Sequence, residues 1–217
     1  MERQAVWDVI VEERLALLSH LRELSDEEWD RPSLCDAWRV RDVAAHVISA
    51  PQMRWAATLK VMPRMWRGYN RAILRDGQRR GALPVEEILA QYDRWAAVRR
   101  GPVSVTHVEP LVDVLVHTQD ILRPLGRRHR PPAEAATVAA DRVRLLAPLF
   151  GTTATVRRLR LRATDTEWER GRGPLVEGPA VELLLLCAGR RPDRELLAGD
   201  GVDRVVGAAT PSTRRAG

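Results

Sequence analysis

Two histidines and one aspartate occupy positions from which they could bind a metal ion. On a helical wheel at about 100° per residue, the face around His46 carries mostly small side chains, namely Asp42, Val43, Ser49, Ala50, Met53 and Ala57. A helical bundle packed on this face would have room for a bound group besides its own side chains. The alternative is a groove histidine whose ring is satisfied by a single hydrogen bond.

The second feature is the segment that begins with Asp113 and ends with His117. Side chains at i and i+4 lie one helical turn apart on one face, so both can reach one ion. Asp120 follows on nearly the same stripe and could accept the imidazole N–H, or it could pair with Arg123 or Arg127. Because the rest of the circumference is mostly apolar, the stripe either lines an internal polar cavity or forms the one wet edge of a buried helix.

Taken together, His46, Asp113 and His117 have the ligand number of an open zinc site, whose fourth position is free for water or substrate. The sequence separation is long, since His46 and Asp113 are 67 residues apart, so the spacing is less specific than paired CxxC motifs. Cys35 is interpreted as a small packed side chain, because no base for a nucleophilic thiol can be identified near it.

Helical periodicity predicts the elements that must position these residues. The first helix has its apolar residues at three- and four-residue spacing, with Glu13 and Arg14 elsewhere on the wheel. After it, Ser25 and Glu28 form the capping-box pattern of a separate short helical turn. Pro51 should kink or split the second helix. Residues 63–83 are expected to form a loop that contains at most a short helix. The long helices are predicted at 6–24, 38–61, 84–100, 110–125 and 133–149, with connections that suit an antiparallel bundle.

After residue 151 the period changes to two. Leu159, Leu161 and Ala163 alternate with arginines, as in a half-buried strand. Two short strands at 167–170 and 175–177 and a buried helix at 181–188 should follow. The chain is therefore predicted to be mainly α, with a helical domain at 1–150 and a small α/β domain at 151–217 whose tail frays from Gly207.

Composition limits the classes of function. The 35 basic and 29 acidic residues give a net charge of +6, and Lys60 is the only lysine, a bias typical of GC-rich bacterial genomes. The arginines are interspersed with acids, so a nucleic-acid partner is not expected. Two cysteines exclude a disulfide framework. Without a signal-peptide or membrane-spanning apolar run, the expectation is a cytoplasmic protein that does not enter a membrane.

Three segments resemble one protein family, the mycothiol-dependent maleylpyruvate isomerases. Residues 29–47, WDRPSLCDAWRVRDVAAHV, resemble its opening signature, and residues 111–126, LVDVLVHTQDILRPLG, resemble its helix-four motif. Residues 164–179, TDTEWERGRGPLVEGP, with Gly189, Arg190 and the stretch 197–201, are similar to its small second domain. The resemblance covers nearly the whole chain in the same order.

The resemblance implies a DinB-like four-helix bundle that holds a divalent metal, usually zinc, through His46, Asp113 and His117. It also implies mycothiol as a thiol cosubstrate and a small electrophilic molecule as its target, in an isomerase or an S-transferase. Arg54 and Arg123 are candidates for binding the carboxylates of thiol and substrate.

Two residues depart from the family pattern. Asp113 replaces a glutamate and is one methylene shorter, and Arg39 replaces a small hydroxyl residue that would cap the helix. The shorter carboxylate leaves open an alternative, a non-catalytic binding or regulatory protein with a degenerate metal site. A monomer and a homodimer are both compatible with the sequence.

Overall fold

The N-terminal helix α1 (Arg3–Arg22) buries the apolar stripe that its spacing predicts: Val6, Ile10, Leu17, Leu18 and Leu21. This computed structural model describes residues 1–53, 65–101, 106–150 and 152–207. The short helix α2 (Asp26–Asp30) begins with the predicted capping box, in which Ser25 Oγ accepts from Glu28 N and Glu28 Oε2 accepts from Ser25 N. It buries Trp29.

The second predicted helix is interrupted at Pro51, as expected. Helix α3 (Val40–Ser49) passes into a 3₁₀ turn, Ala50–Gln52, and the predicted continuation from 54 to 61 lies outside the described residues. The expected loop at 63–83 was wrong, because residues 65–81 form helix α4 (Met65–Gly81). Tertiary packing overrides the low helix propensity of this glycine-containing segment, since α4 packs along α3.

The chain up to Pro131 forms a first compact unit. The next helices in its described part are α5 (Val85–Trp95) and α6 (Glu109–Leu122). Helix α6 continues as a 3₁₀ turn, Arg123–Leu125, and stops at Gly126, whose φ of 70° is the left-handed C-terminal conformation. Helix α1 packs against α5 and α6, and α3 packs against the same two helices. These contacts close a four-helix bundle of α1, α3, α5 and α6, which confirms the predicted architecture.

The second compact unit begins at Pro132. Its helices are α7 (Ala133–Leu145), α8 (Ala147–Phe150), α9 (Thr153–Arg158), α10 (Ala180–Cys187) and α11 (Val202–Gly207), with a 3₁₀ turn at Arg194–Leu196. Its strands are β1 (Arg160–Ala163), β2 (Glu169–Gly171) and β3 (Leu175–Gly178).

The sheet has the order β2–β1–β3, with β1 antiparallel to β2 and parallel to β3. Helix α7 packs against the wholly buried helix α10, so it groups with the small α/β unit, whereas the sequence suggested a boundary near residue 150. The predicted frayed tail, apart from Gly207 itself, lies outside the described residues. No helix in the described part of the chain is long and apolar enough to cross a membrane.

Glycines allow α4 to approach the beginning of α3 closely. A β-carbon added at Gly81 would lie 2.1 Å from Asp42 Oδ1 and 2.7 Å from Asp42 Cα. A β-carbon at Gly77 would lie 2.6 Å from the Trp38 ring. Because the atoms facing Gly81 include backbone, they cannot rotate away as the end of a flexible side chain can.

We predict that Gly81→Ala destabilises the protein by about 1–3 kcal/mol, the usual cost of overpacking, although alanine is the better helix former. The measurement is the free energy of unfolding in denaturant. The control Arg75→Ala changes an exposed residue of the same helix and should stay within about 0.5 kcal/mol of wild type. A Gly81→Ala protein as stable as the wild type would contradict the close contact.

Candidate metal centre

The packing of α3 against α6 brings together the three residues that the sequence suggested as ligands. His46 projects from α3, and Asp113 and His117 project from α6 one turn apart. Asp113 Oδ1 lies 3.3 Å from His46 Nε2 and 3.4 Å from His117 Nε2. One nitrogen of each imidazole and one carboxylate oxygen thus lie within 4.8 Å of one another.

This donor set suits a divalent ion. Two imidazole nitrogens and one carboxylate oxygen are ligands that zinc takes in sites with an open position. The side chains of His46, Asp113 and His117 are 22%, 25% and 14% exposed, so the set is sheltered but reachable from solvent. The Trp38 ring packs beside both imidazoles, with centroids 4.9 Å from His46 and 6.1 Å from His117.

The other nitrogen of His117 is occupied by a carboxylate. His117 Nδ1 lies 2.9 Å from Oδ2 of Asp120, whose side chain has no solvent exposure. This contact directs the opposite nitrogen, Nε2, toward Asp113. Asp120 therefore lies where the stripe on α6 suggested an acceptor for the imidazole N–H, and its part in metal binding stays a prediction.

The interpretation of Cys35 as a merely packed side chain was incomplete. Its thiol donates to Asp120 Oδ2 at 3.0 Å, and Sγ lies 3.6 Å from His117 Nδ1. The two residues are 85 positions apart in sequence, so no local spacing could have revealed this contact. The sequence offers one signal for a role near the metal centre, which is that Cys35 lies in the same segment, residues 29–47, as Trp38 and His46.

A buried arginine was also missed. Arg14 is 1% exposed, and its Nη1 donates to the carbonyl oxygen of Val98 at 3.1 Å. Its neighbour Glu13 is 5% exposed, with Oε2 2.7 Å from His129 Nε2. The wheel assigned both residues to the polar side of α1 because charged residues are rarely buried in helical bundles.

The charges around the set favour ionised Asp113 and protonated His117 when no metal is bound. Burial opposes the charge on Asp113, but His46, His117 and Arg14 outweigh it, so the pKa of Asp113 is lowered. Burial also lowers the pKa of His117, yet the contacts with Asp120 and Cys35 and the charge of Asp113 raise it overall to about 10.

Of the two arginines suggested for binding thiol or substrate, Arg123 is the one that lies among the described residues. Arg54 lies outside the described residues. Arg123 Nε donates to Gln119 Oε1 at 3.0 Å, and Gln119 lies about 200° around α6 from His117. The role of both arginines stays a prediction.

Helix α3 begins without the capping hydroxyl of the family pattern. Asp42 Oδ2 accepts from the backbone N–H of Arg39 at 2.9 Å and from Arg39 Nε at 3.2 Å. The carboxylate of the third helical residue thus satisfies the N–H of the residue that precedes the helix, which is one half of a capping box, and the helix still presents His46 to α6.

We predict that the metal-free protein loses stability as the pH rises from about 6.5 to 10, because the pKa of His117 is higher in the folded chain than its ordinary value of 6.5. The stabilising contribution is complete below pH 6.5 and disappears as the pH passes through about 10. Denaturant unfolding in the presence of a chelator measures it. His117→Gln should remove this component, His107→Gln should retain it, and equal pH profiles for wild type and His117→Gln would refute it.

Comparisons with known proteins give a consistent result. A sequence profile described as the mycothiol maleylpyruvate isomerase N-terminal domain matches residues 11–122. No curated protein sequence matches the chain.

Two solved structures have the same fold. One is the mycothiol-dependent maleylpyruvate isomerase, at 13% identity and a TM-score of 0.61; the other is a histidine-to-alanine mutant of such an isomerase, at 14% and 0.64. Each match covers 92% of this chain and 93% of the other. At such identities the likeness establishes the fold, whereas the profile match spans more than half of the sequence. The chain therefore belongs to the mycothiol maleylpyruvate isomerase family.

Proposed function

We propose that this protein is a metal-dependent enzyme that uses a low-molecular-weight thiol, mycothiol, to isomerise or S-conjugate a small electrophilic molecule. The observation that carries the proposal is the convergence of one carboxylate oxygen on two imidazole nitrogens from separate helices. Family membership and the shared fold support the same class of chemistry.

His46, Asp113 and His117 would hold the ion, for which Zn²⁺ is the best candidate given two nitrogen donors and one oxygen donor. When bound, such an ion stabilises a thiolate relative to a thiol at its open position. The protein contributes the geometry of the donors. Asp120 orients the His117 ring, and Trp38 covers one side of both imidazoles.

The shorter carboxylate of Asp113 is compatible with this role. Its Oδ1 already lies within 3.4 Å of an imidazole nitrogen on either side, so the missing methylene does not keep the carboxylate away from the histidines. We infer that the α3–α6 packing compensates for the shorter side chain.

Small molecules suit the surface better than nucleic acid does. Several arginines in the described part of the chain pair with carboxylates, as in Arg41–Asp30, Arg170–Asp141 and Arg194–Asp203. Because their charges are neutralised by these carboxylates, the paired arginines attract the phosphates of nucleic acid less strongly.

A second candidate function is a non-catalytic protein that has kept the bundle but lost the metal. The same short distances favour it, because the Asp113 carboxylate can form ion pairs with protonated histidines on either side when no metal is present. Metal uptake distinguishes the two candidates.

We predict that protein purified without a histidine tag binds about one divalent ion per chain, with three protein ligands, as open zinc sites do. His46→Ala and His117→Ala should each weaken Zn²⁺ binding by more than the ~10–100-fold that loss of an outer-sphere partner costs. Competition with a chromophoric chelator measures the affinity.

The control for metal binding is His107→Ala, which removes an imidazole that does not belong to the set of His46, Asp113 and His117 and should leave the affinity unchanged. Absence of Zn²⁺ uptake by the wild type, or equal uptake by His117→Ala, would favour the non-catalytic candidate.

We also predict thiol-dependent turnover of an electrophile such as a cis-unsaturated dicarboxylate. His46→Ala should abolish this activity, since a ligand to the activating ion is lost, while circular dichroism remains that of the wild type. Isomerisation regenerates the thiol, whereas S-transfer consumes it, so a thiol assay alongside product analysis separates the two reactions. Unchanged turnover in His46→Ala would exclude this residue from the mechanism.

A further inference from the structure

The segment Ser33–Trp38, here called the 33–38 loop, is joined to α6 at a single residue in two ways. Leu34 N donates to the backbone carbonyl of Asp120 at 3.0 Å. The Cys35 thiol donates to the side chain of the same aspartate, also at 3.0 Å. Backbone and side chain thus fix the loop to the turn of α6 that carries the carboxylate behind His117.

The loop has a defined internal structure. Ser33 Oγ accepts from Cys35 N at 3.1 Å and donates to the Trp38 carbonyl at 2.9 Å, and Trp38 N donates to the Cys35 carbonyl at 3.1 Å. Ala37 has a φ of 63°, a left-handed conformation that is unfavourable for a non-glycine residue. The hydrogen bonds hold this strained turn, which sends Cys35 toward Asp120 and Trp38 toward the imidazoles.

Asp120 Oδ2 is shared by two groups. Cys35 Sγ lies 3.0 Å from it and His117 Nδ1 lies 2.9 Å from it. A fully buried carboxylate must be satisfied by donors, and its position determines how the His117 ring is turned. With Nδ1 held by Asp120, His117 Nε2 is left to face Asp113.

We propose that Cys35 is a positioning residue of the candidate metal centre, whose thiol holds Asp120 so that Asp120 holds the His117 ring with Nε2 toward the ion. This inference rests on the proposed function. Cys35 acts through Asp120 and His117 and is not itself proposed as a metal ligand.

A different role for the same residues would be a second metal site. Cys35 Sγ, an Asp120 oxygen and a His117 ring nitrogen also lie within 4.8 Å of one another. A metal there would have to displace the contact between Asp120 and His117 Nδ1, whereas the His46 set uses the opposite nitrogen. The short contact at Nδ1 therefore favours a hydrogen-bonded support over a second ligand set.

The test compares the Zn²⁺ affinity of the wild type with that of Cys35→Ala and Cys35→Ser, by competition with a chromophoric chelator. We expect Cys35→Ala to weaken binding about tenfold, at the lower end of the range for outer-sphere partners. Cys35→Ser should restore most of the affinity, because a hydroxyl donates to the carboxylate as the thiol does. The control is Cys187→Ala, which changes the buried thiol of α10 in the second unit and should bind Zn²⁺ as the wild type does.

A second measurement needs no metal. In metal-free protein labelled with ¹⁵N-histidine, the His117 Nδ1 resonance should move in Cys35→Ala, move less in Cys35→Ser and stay in place in Cys187→Ala. A thiol that only fills space would not distinguish serine from alanine in this way.

The outcomes separate the inference from the proposed function. Equal affinity and an unmoved His117 resonance in Cys35→Ala would overturn the positioning role. A sulfur-to-metal charge-transfer band in the Co²⁺-loaded wild type that disappears in Cys35→Ala would overturn it in favour of direct ligation. If the wild type binds no Zn²⁺, the proposed function fails, and the histidine resonance alone decides the role of Cys35.

Discussion

A carboxylate held between two imidazoles from different helices is the interaction on which the rest of this site depends. The distance from Asp113 to His46 is determined by how closely α3 and α6 approach, whereas His117 lies one turn from Asp113 on the same helix. An aspartate has a short side chain, so it cannot follow a helix that moves away. The bundle must therefore keep these two helices in a fixed register for the three donors to remain together.

Several features of the first unit serve this constraint. Helix α4 supports α3 through a glycine that touches the backbone of Asp42, one turn before His46. The 33–38 loop joins α6 to the start of α3 through Asp120 and Trp38. Removing either support would alter the position of an imidazole without touching a donor atom. The structure thus links the ordinary packing of the bundle to the geometry of the candidate metal centre.

Buried charge explains why the side chains behind the candidate metal centre are polar. Asp113 and Asp120 are carboxylates inside a helical bundle, and an isolated buried charge is costly. His46, His117 and the buried Arg14 offset the negative charge, and the Cys35 thiol adds a donor. The contacts hold the ligand side chains in place before an ion arrives. Binding of a divalent ion would still have to displace the proton that His117 carries in the metal-free protein.

Local sequence patterns were informative wherever neighbouring residues decide the structure. The apolar spacing of α1, the capping box of α2 and the i, i+4 pair on α6 were predicted correctly because each depends on contacts within one or two turns. The residues 65–81 were expected to be mostly loop, because glycine lowers helix propensity and local spacing does not reveal the packing of this helix against α3. Arg14 was mistaken for a surface residue for a related reason, since its burial depends on partners that are distant in sequence.

The helical periodicity, the change to strands after residue 151 and the residue types that can donate to a metal are all properties of the amino-acid sequence. These features follow from side-chain chemistry and from short-range geometry along the chain. Tertiary packing was needed to group α7 with the second unit, to bring the Cys35 thiol to Asp120 and to bring the His46 ring of α3 to Asp113 of α6. Such contacts join residues many positions apart, and their distances exist only once the helices have packed.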